Sequence, residues 1–256
     1  MLKRLKRSAL LAIAVALSAF ALPKKENYSL VFIGDSITQA NAVENNAVNS
    51  PPAQAAAFLK DSGKFGNIQF SNQGRSGRTT LDFLPLTGKM YPNVITAADA
   101  FYRDKSATLL FSIMIGTNDS AVKGPNGAPV SAENYQKNLM EIADSLFTRY
   151  PGCKMVFHQP IWYSDSTRNT STYLVEGRKR LQSYTPQLKR LVEHYKAARP
   201  GQVFFGDTKA YGYFKKHYLT AMKTEKGPAG TFYLHPNKEG SAKLGKFWAK
   251  ALMAVL

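Results

Sequence analysis

Tyr28-Ser29-Leu30-Val31-Phe32-Ile33-Gly34-Asp35-Ser36-Ile37 is the stretch that decides the fold. From Leu30 to Ile33 the run is apolar and β-branched, with no polar residue alternating into it. A strand written this way is covered on both faces, as in a parallel sheet lying between two layers of helix. Gly34 closes the run, and Asp35 and Ser36 stand where strand gives way to helix. Asp and Ser are favoured helix caps. A serine at such a turn also presents its hydroxyl above the sheet edge, and residues 34–37 alone leave both readings open.

Outward from this segment the same alternation repeats. Residues 67–74 (NIQFSNQG), 107–116 (ATLLFSIMIG), 154–162 (KMVFHQPIW) and 202–207 (QVFFGD) read as further strands. Between them lie helical patterns at 52–62 behind Pro51 and Pro52, at 91–104, at 131–150 and at 173–198. The last of these has a break expected at Pro186. Helices over 208–222 and 237–256 close the chain. Strand and helix in turn predict an α/β fold, a three-layer α/β/α sandwich around a five-stranded parallel sheet. In such sheets ligands bind beyond the carboxyl ends of the strands. The strand ends and the long stretch 222–233 therefore carry the candidate chemistry.

The chain has 256 residues, 44% of them apolar and 20% charged, with neither repeat nor low-complexity tract. That composition excludes a coiled coil, a collagen and a disordered chain. It fits one domain over 22–256. The single cysteine, Cys153, excludes a disulfide framework and a cysteine zinc site. Its flanks, PGCKMVF, place it at the start of a buried strand as an inert thiol. Residues 1–21 join a basic stretch, MLKRLKRS, to an uncharged apolar run ending in Ala19-Phe20-Ala21. That is the layout of a cleaved secretory signal peptide, and it predicts export to a periplasm or beyond the cell. No other stretch is long and apolar enough for membrane insertion. The formal charge is +17; without Lys3, Arg4, Lys6 and Arg7 it is 30 basic against 17 acidic residues, or +13. Such a balance favours an anionic partner, although many of the basic residues are spread along helices. No module interleaves cations with stacking aromatics, so nucleic acid is not an expected partner.

Three further motifs follow strand ends or precede the last helix. Asn72 through Thr79 (NQGRSGRT) is a glycine-rich turn that can aim a backbone N–H into a pocket. Gly116-Thr117-Asn118-Asp119 puts a side-chain amide at the end of the third strand, where an Asx-turn is the plain alternative. Leu234-His235-Pro236-Asn237 sets an imidazole just before the closing helix, with Pro236 expected in its first turn. A hydroxyl, an imidazole, a loop N–H and an amide donor are the parts of acyl-transfer catalysis.

In this order the four motifs resemble those of the SGNH (GDSL-type) hydrolases, from Ser29 to about Leu252. The resemblance implies a flavodoxin-like sandwich and ester hydrolysis without metal or cofactor. It implies Ser36 as nucleophile, His235 as general base, and Gly77 and Asn118 as oxyanion donors beside the Ser36 N–H. Gly74 is the rival to Gly77. One departure stands out: where the family carries Asp three residues before the histidine, this chain has Phe232, and no acid lies between Lys226 and His235. The imidazole is then oriented by nothing, by a main-chain carbonyl in 228–234, or by a relocated acid. Asp207 at the end of the fifth strand is the candidate; Glu239, one helical turn past the histidine, points away.

Gly77-Arg78-Thr79 is similar to the Gly-Arg-Ser of the rhamnogalacturonan acetylesterase branch, where Arg78 could meet a uronate carboxylate. With export and the positive charge, this points to an O-acetylesterase acting on an acetylated carbohydrate, including an anionic polysaccharide. A lysophospholipase or thioesterase of the same fold, and a glycan-binding protein that lost its acid, are the alternatives. Trp162, Tyr163, Tyr211, Tyr213 and Phe214 could form a sugar platform or simply core and rim; His158 reads as a buried, satisfied histidine.

Overall fold

The computed structural model describes residues 25–256; the expected signal peptide, residues 1–21, lies outside them. Five parallel strands form the central sheet: β1 (Asn27–Gly34), β2 (Ile68–Asn72), β3 (Ala107–Met114), β4 (Lys154–Phe157) and β5 (Val203–Phe205). Their spatial order is β2-β1-β3-β4-β5, the doubly wound order in which the chain reverses direction between β1 and β3. The predicted sandwich is therefore the observed one.

Side-chain alternation along the strands feeds two cores. Val31, Ile33, Leu109, Phe111 and Ile113 face one layer. It holds α4 (Tyr91–Tyr102), α5 (Ala132–Arg149) and α6 (Leu174–Ala198). Leu30, Phe32 and Leu110 face the other. That layer holds α3 (Pro51–Asp61), α7 (Ala210–Ala221) and α8 (Lys238–Met253), with the short α1 (Ser36–Gln39) and α2 (Asn46–Asn49) at its rim. Trp248 of α8 stacks on Phe32 at 5.8 Å between ring centroids and on His158 at 5.4 Å. Truncating a buried Trp of this kind costs about 3–5 kcal/mol.

Pro186 does not break α6, which runs from Leu174 to Ala198 with Pro186 inside. Leu181, Tyr184, Leu188, Leu191 and Tyr195 bury one continuous face on both sides of it, and that burial outweighs one lost backbone hydrogen bond. Pro236 likewise lies outside its helix. Asn237 is the cap of α8, its Oδ1 accepting the Gly240 N–H at 2.9 Å. Trp162, Tyr163 and Phe214 are buried, so the aromatic set serves the core and its rim and forms no open platform. Cys153 is buried, and burial pushes its thiol up to about 12. His158 is enclosed: its Nδ1 accepts the Asp207 N–H at 2.9 Å and its Nε2 meets Ser112 Oγ at 3.0 Å. Burial lowers its pKa to about 3 and keeps it neutral.

The stretch 222–233, expected as loop, contains a hairpin. Its strands are β6 (Glu225–Gly227) and β7 (Gly230–Phe232), antiparallel, with Glu225 opposite Phe232.

Candidate active site

Gly34 brings β1 to its end under tight constraint. A Cβ there would lie 2.0 Å from Thr38 Oγ1 and 2.5 Å from the Met114 carbonyl oxygen, so only glycine lets α1 and β3 approach this closely. Asp35 then caps α1, its Oδ1 accepting the Ile37 N–H at 2.9 Å. The cap fixes the next residue, Ser36, at the helix start. The aspartate is the cap, and the serine that follows it lines a cavity. Asp35 is fully buried, and burial lifts its carboxyl to about 6 despite the bonds it accepts.

Ser36 Oγ lies 3.0 Å from His235 Nε2. On the other side of the ring, His235 Nδ1 is 2.9 Å from Glu225 Oε1 and 3.1 Å from Oε2. Glu225 Oε2 also accepts the His235 backbone N–H at 3.2 Å. One carboxylate thus holds both the ring and the main chain of the histidine. Burial opposes the Glu225 charge, but its bonds with His235 outweigh that and keep its pKa below the ordinary carboxylate value. An ionised Glu225 makes Nδ1 the protonated nitrogen. Nε2 is then free to accept the Ser36 proton.

This corrects the expected orienting groups. Asp207 is a helix cap: its Oδ1 accepts the Lys209 N–H at 3.1 Å and its Oδ2 the Ala210 N–H at 3.0 Å, so both oxygens are committed to the start of α7. Glu239 is exposed in the first turn of α8. Glu225 stands immediately before Lys226, one residue outside the acid-free stretch that leads to the histidine. The signal for it is the hairpin: Gly227-Pro228-Ala229-Gly230 is a turn sequence, and folding it back sets Glu225 beside Phe232, the position where the family carries its acid.

The candidate donors meet at the same cavity as the Ser36–His235 pair. Ser36, Gly77, Asn118 and His235 line one cavity of about 160 Å³, together with Ser76, Pro125, Asn169, Thr170, Ser171, Tyr173 and Leu234. Gly77 has φ +74°, a left-handed conformation that favours glycine. Neither its N–H nor that of Ser36 has a protein acceptor among the described residues. Gly74, the rival, has its N–H bonded to Asn72 Oδ1 at 3.0 Å, which leaves Gly77 as the free donor.

Asn118 is held at both ends. Its Nδ2 donates one proton to the Arg78 carbonyl at 3.0 Å, and its Oδ1 accepts from the Tyr173 hydroxyl at 2.8 Å. The amide cannot flip without losing both bonds, so its second N–H proton is the one left for the cavity. The Tyr173 hydroxyl is a brace that no motif announced, reaching Asn118 across 55 residues of sequence. Asp119, fully buried, ties the same two loops together through the Thr80 N–H at 2.9 Å and the Thr80 hydroxyl. Burial raises its carboxyl to about 7.

Arg78 is not brought into this cavity. Its guanidinium pairs with Asp82 at 3.3 Å, and its contribution to the site is the carbonyl that Asn118 grips. Among the described residues no group of three or more His, Cys, Asp or Glu is arranged to hold a metal ion.

Residues 32–243 match the GDSL-like lipase/acylhydrolase family. Among solved structures the chain is similar to Est24, a carbohydrate acetylesterase from Sinorhizobium meliloti: 17% identity, TM-score 0.59, 90% of this chain and 100% of that one covered. It is also similar to a catalytic mutant of Axe2, an acetylxylan esterase from Geobacillus stearothermophilus: 18% identity, TM-score 0.57, 91% and 96% covered. A third is the salicylyl-acyltransferase SsfX3 from a tetracycline biosynthetic pathway: 15% identity, TM-score 0.60, 92% and 56% covered. A search of curated proteins finds no match. At these identities the structures establish the shared fold, and the family match over most of the sequence establishes the kinship: the chain belongs to the GDSL-like lipase/acylhydrolase family and is a carboxylic ester hydrolase.

Proposed function

We propose that this protein is an exported serine esterase that removes acetyl or similarly short acyl groups from hydroxyls of a carbohydrate. The observation that carries the reading is the aligned chain Ser36 Oγ, His235 Nε2, His235 Nδ1 and Glu225, with contacts of 3.0 and 2.9 Å, opening on a small polar cavity.

The chemistry follows from those positions. Ser36 Oγ attacks the acyl carbonyl carbon while His235 Nε2 takes its proton. The Glu225 carboxylate stabilises the imidazolium that forms. The carbonyl oxygen, now negative, accepts from the Ser36 N–H, the Gly77 N–H and Asn118 Nδ2. On collapse the carbon–oxygen bond to the sugar breaks, and the leaving oxygen takes the proton from His235. Water then attacks the acyl-serine by the same route and releases the carboxylic acid.

The size and lining of the cavity support a short acyl group. About 160 Å³ is available, and Ser76, Asn169, Thr170 and Ser171 line it with hydroxyls and an amide, against only Pro125 and Leu234 as aliphatic surface. A long acyl chain would strip water from these polar groups without pairing them, a cost the acetyl group avoids. A sugar ring satisfies them. The basic, apolar layout of residues 1–21 supports export. No helix among the described residues is long and apolar enough to cross a membrane.

The test compares 4-nitrophenyl acetate with the octanoate for wild type and Ser36→Ala. Acetate turnover that exceeds octanoate turnover and disappears in Ser36→Ala is the expected outcome. Faster octanoate hydrolysis would turn the reading toward a lipid or thioester substrate, and acetate turnover that survives Ser36→Ala would remove the nucleophile.

A further inference from the structure

A second cleft, larger than the first, lies behind the loop that follows β2. Its volume is about 320 Å³. The two cavities share a wall. Gly74 and Arg75 line the second, and the next two residues, Ser76 and Gly77, line the first. Gln39, three residues after Ser36 at the end of α1, fastens this wall: its Oε1 accepts the Ser76 N–H at 2.6 Å.

The lining of that cleft has a definite chemistry. Gln39 keeps its Nε2 as a donor, because only its oxygen is engaged. Gln73 and Asn46 keep their side-chain oxygens as acceptors, their nitrogens being bonded to Ser71 and Asn41. Asn93, at the start of α4, has no side-chain partner among the described residues, and neither has the exposed Arg75. Phe70, half-buried on β2, supplies ring surface. Donors and acceptors in nearly equal number beside an aromatic face suit the alternating hydroxyls and C–H faces of a sugar ring. No Asp or Glu lines the cleft, while Arg75 brings an unpaired guanidinium, the group that best meets a carboxylate.

We propose that this cleft is a second sugar subsite that holds an acidic, uronate-type unit of the same oligosaccharide whose ester lies at Ser36. The inference rests on the esterase reading for the claim that both cavities serve one substrate. It moves the expected carboxylate partner from Arg78, which is paired with Asp82, to Arg75, which is free. The substrate class becomes an acetylated acidic oligosaccharide, and the enzyme reads at least two adjoining units.

Titration calorimetry with unesterified sugars tests it without any turnover. Trigalacturonic acid is expected to bind wild type more tightly than galacturonic acid or neutral xylotriose. Arg75→Gln is expected to weaken trigalacturonate about tenfold, the scale of one charge-assisted hydrogen bond. Lys105→Gln removes the same charge from the opposite end of the sheet, just before β3, and is expected to leave the affinity unchanged. Thermal unfolding of each variant checks that the fold is kept. The subsite is overturned if wild type does not bind the trimer, if the monomer binds as tightly, or if Arg75→Gln has no more effect than Lys105→Gln. Because binding is read apart from hydrolysis, the two proposals fail separately. Esterase activity with no trimer binding sinks the subsite alone. Trimer binding with no ester turnover sinks the catalytic reading, and with it the claim that both cavities serve one substrate, while the sugar site at Arg75 stands.

Discussion

Glu225 and Phe232 stand directly opposite each other in the β6–β7 hairpin, and this pairing explains how the site has a carboxylate without an acid at position 232. Directly opposed residues of an antiparallel pair project to the same face. Moving the acid across the pair, from β7 to β6, keeps it on the face that meets the histidine. Phe232 is buried in the core beneath, while Glu225 reaches His235 Nδ1 at 2.9 Å. The strand that lacks the acid supports the strand that carries it.

Glu225→Gln is expected to lower kcat by up to ~10⁴, the scale for an orienting acid whose loss leaves the wrong tautomer in place. Asp207→Ala should leave kcat within about twofold and cost about 1 kcal/mol of stability as a lost cap. Turnover of 4-nitrophenyl acetate and urea unfolding of both variants separate the two carboxylates. Equal activity losses would show that Glu225 has no special role.

Tyr173→Phe removes one hydroxyl that grips Asn118 Oδ1 at 2.8 Å. We expect kcat to fall about five- to tenfold with KM little changed, the value of one buried hydrogen bond spent on positioning an oxyanion donor. Asn118→Ala should cost about 10²–10³ in kcat. Because Tyr173 acts through Asn118, adding Tyr173→Phe to Asn118→Ala should cost almost nothing further. A double variant whose losses multiply would contradict the brace.

Asp119 links pH to stability with a definite sign. Burial raises its carboxyl from an ordinary 3.8 to about 7 in the folded chain. The folded state therefore holds its proton more tightly than the unfolded state. The stabilisation is complete below 3.8 and is lost as pH rises through about 7. Asp119→Asn has no proton to lose there. The urea midpoint of wild type, measured relative to this variant, should fall across that window; a constant difference would mean that Asp119 is already ionised in the fold.

Cys153 should not react with a thiol reagent in the native protein. It is buried, and its thiol is pushed up to about 12, so accessible thiolate is scarce. Labelling should track global unfolding in denaturant, with one thiol released per chain. Rapid labelling of the folded protein would show that the start of β4 opens locally.

Ser36, Gly77, Asn118 and His235, which line one cavity, could be singled out from the chain alone because each lies in a short motif at an element boundary, and boundaries are local. The apolar run 30–33 likewise set β1 in the middle of a covered parallel sheet, since a strand with no polar alternation needs helices on both faces. Glu225 and Tyr173 were not legible. Glu225 depends on the register of a hairpin, and a one-residue slip would turn its side chain to the other face. Tyr173 depends on the segment before α6 crossing over the end of β3, a contact between residues 55 positions apart. Composition and periodicity also could not tell that Arg78 would pair with Asp82 while Arg75 stayed free, because which of two nearby cations finds a carboxylate is settled by the turn between them. Local chemistry picked out the hydroxyl, the imidazole and the two donors that meet at one cavity; only tertiary packing decided that Glu225 holds the imidazole and that Tyr173 holds the Asn118 amide, because both partners arrive from other segments of the chain.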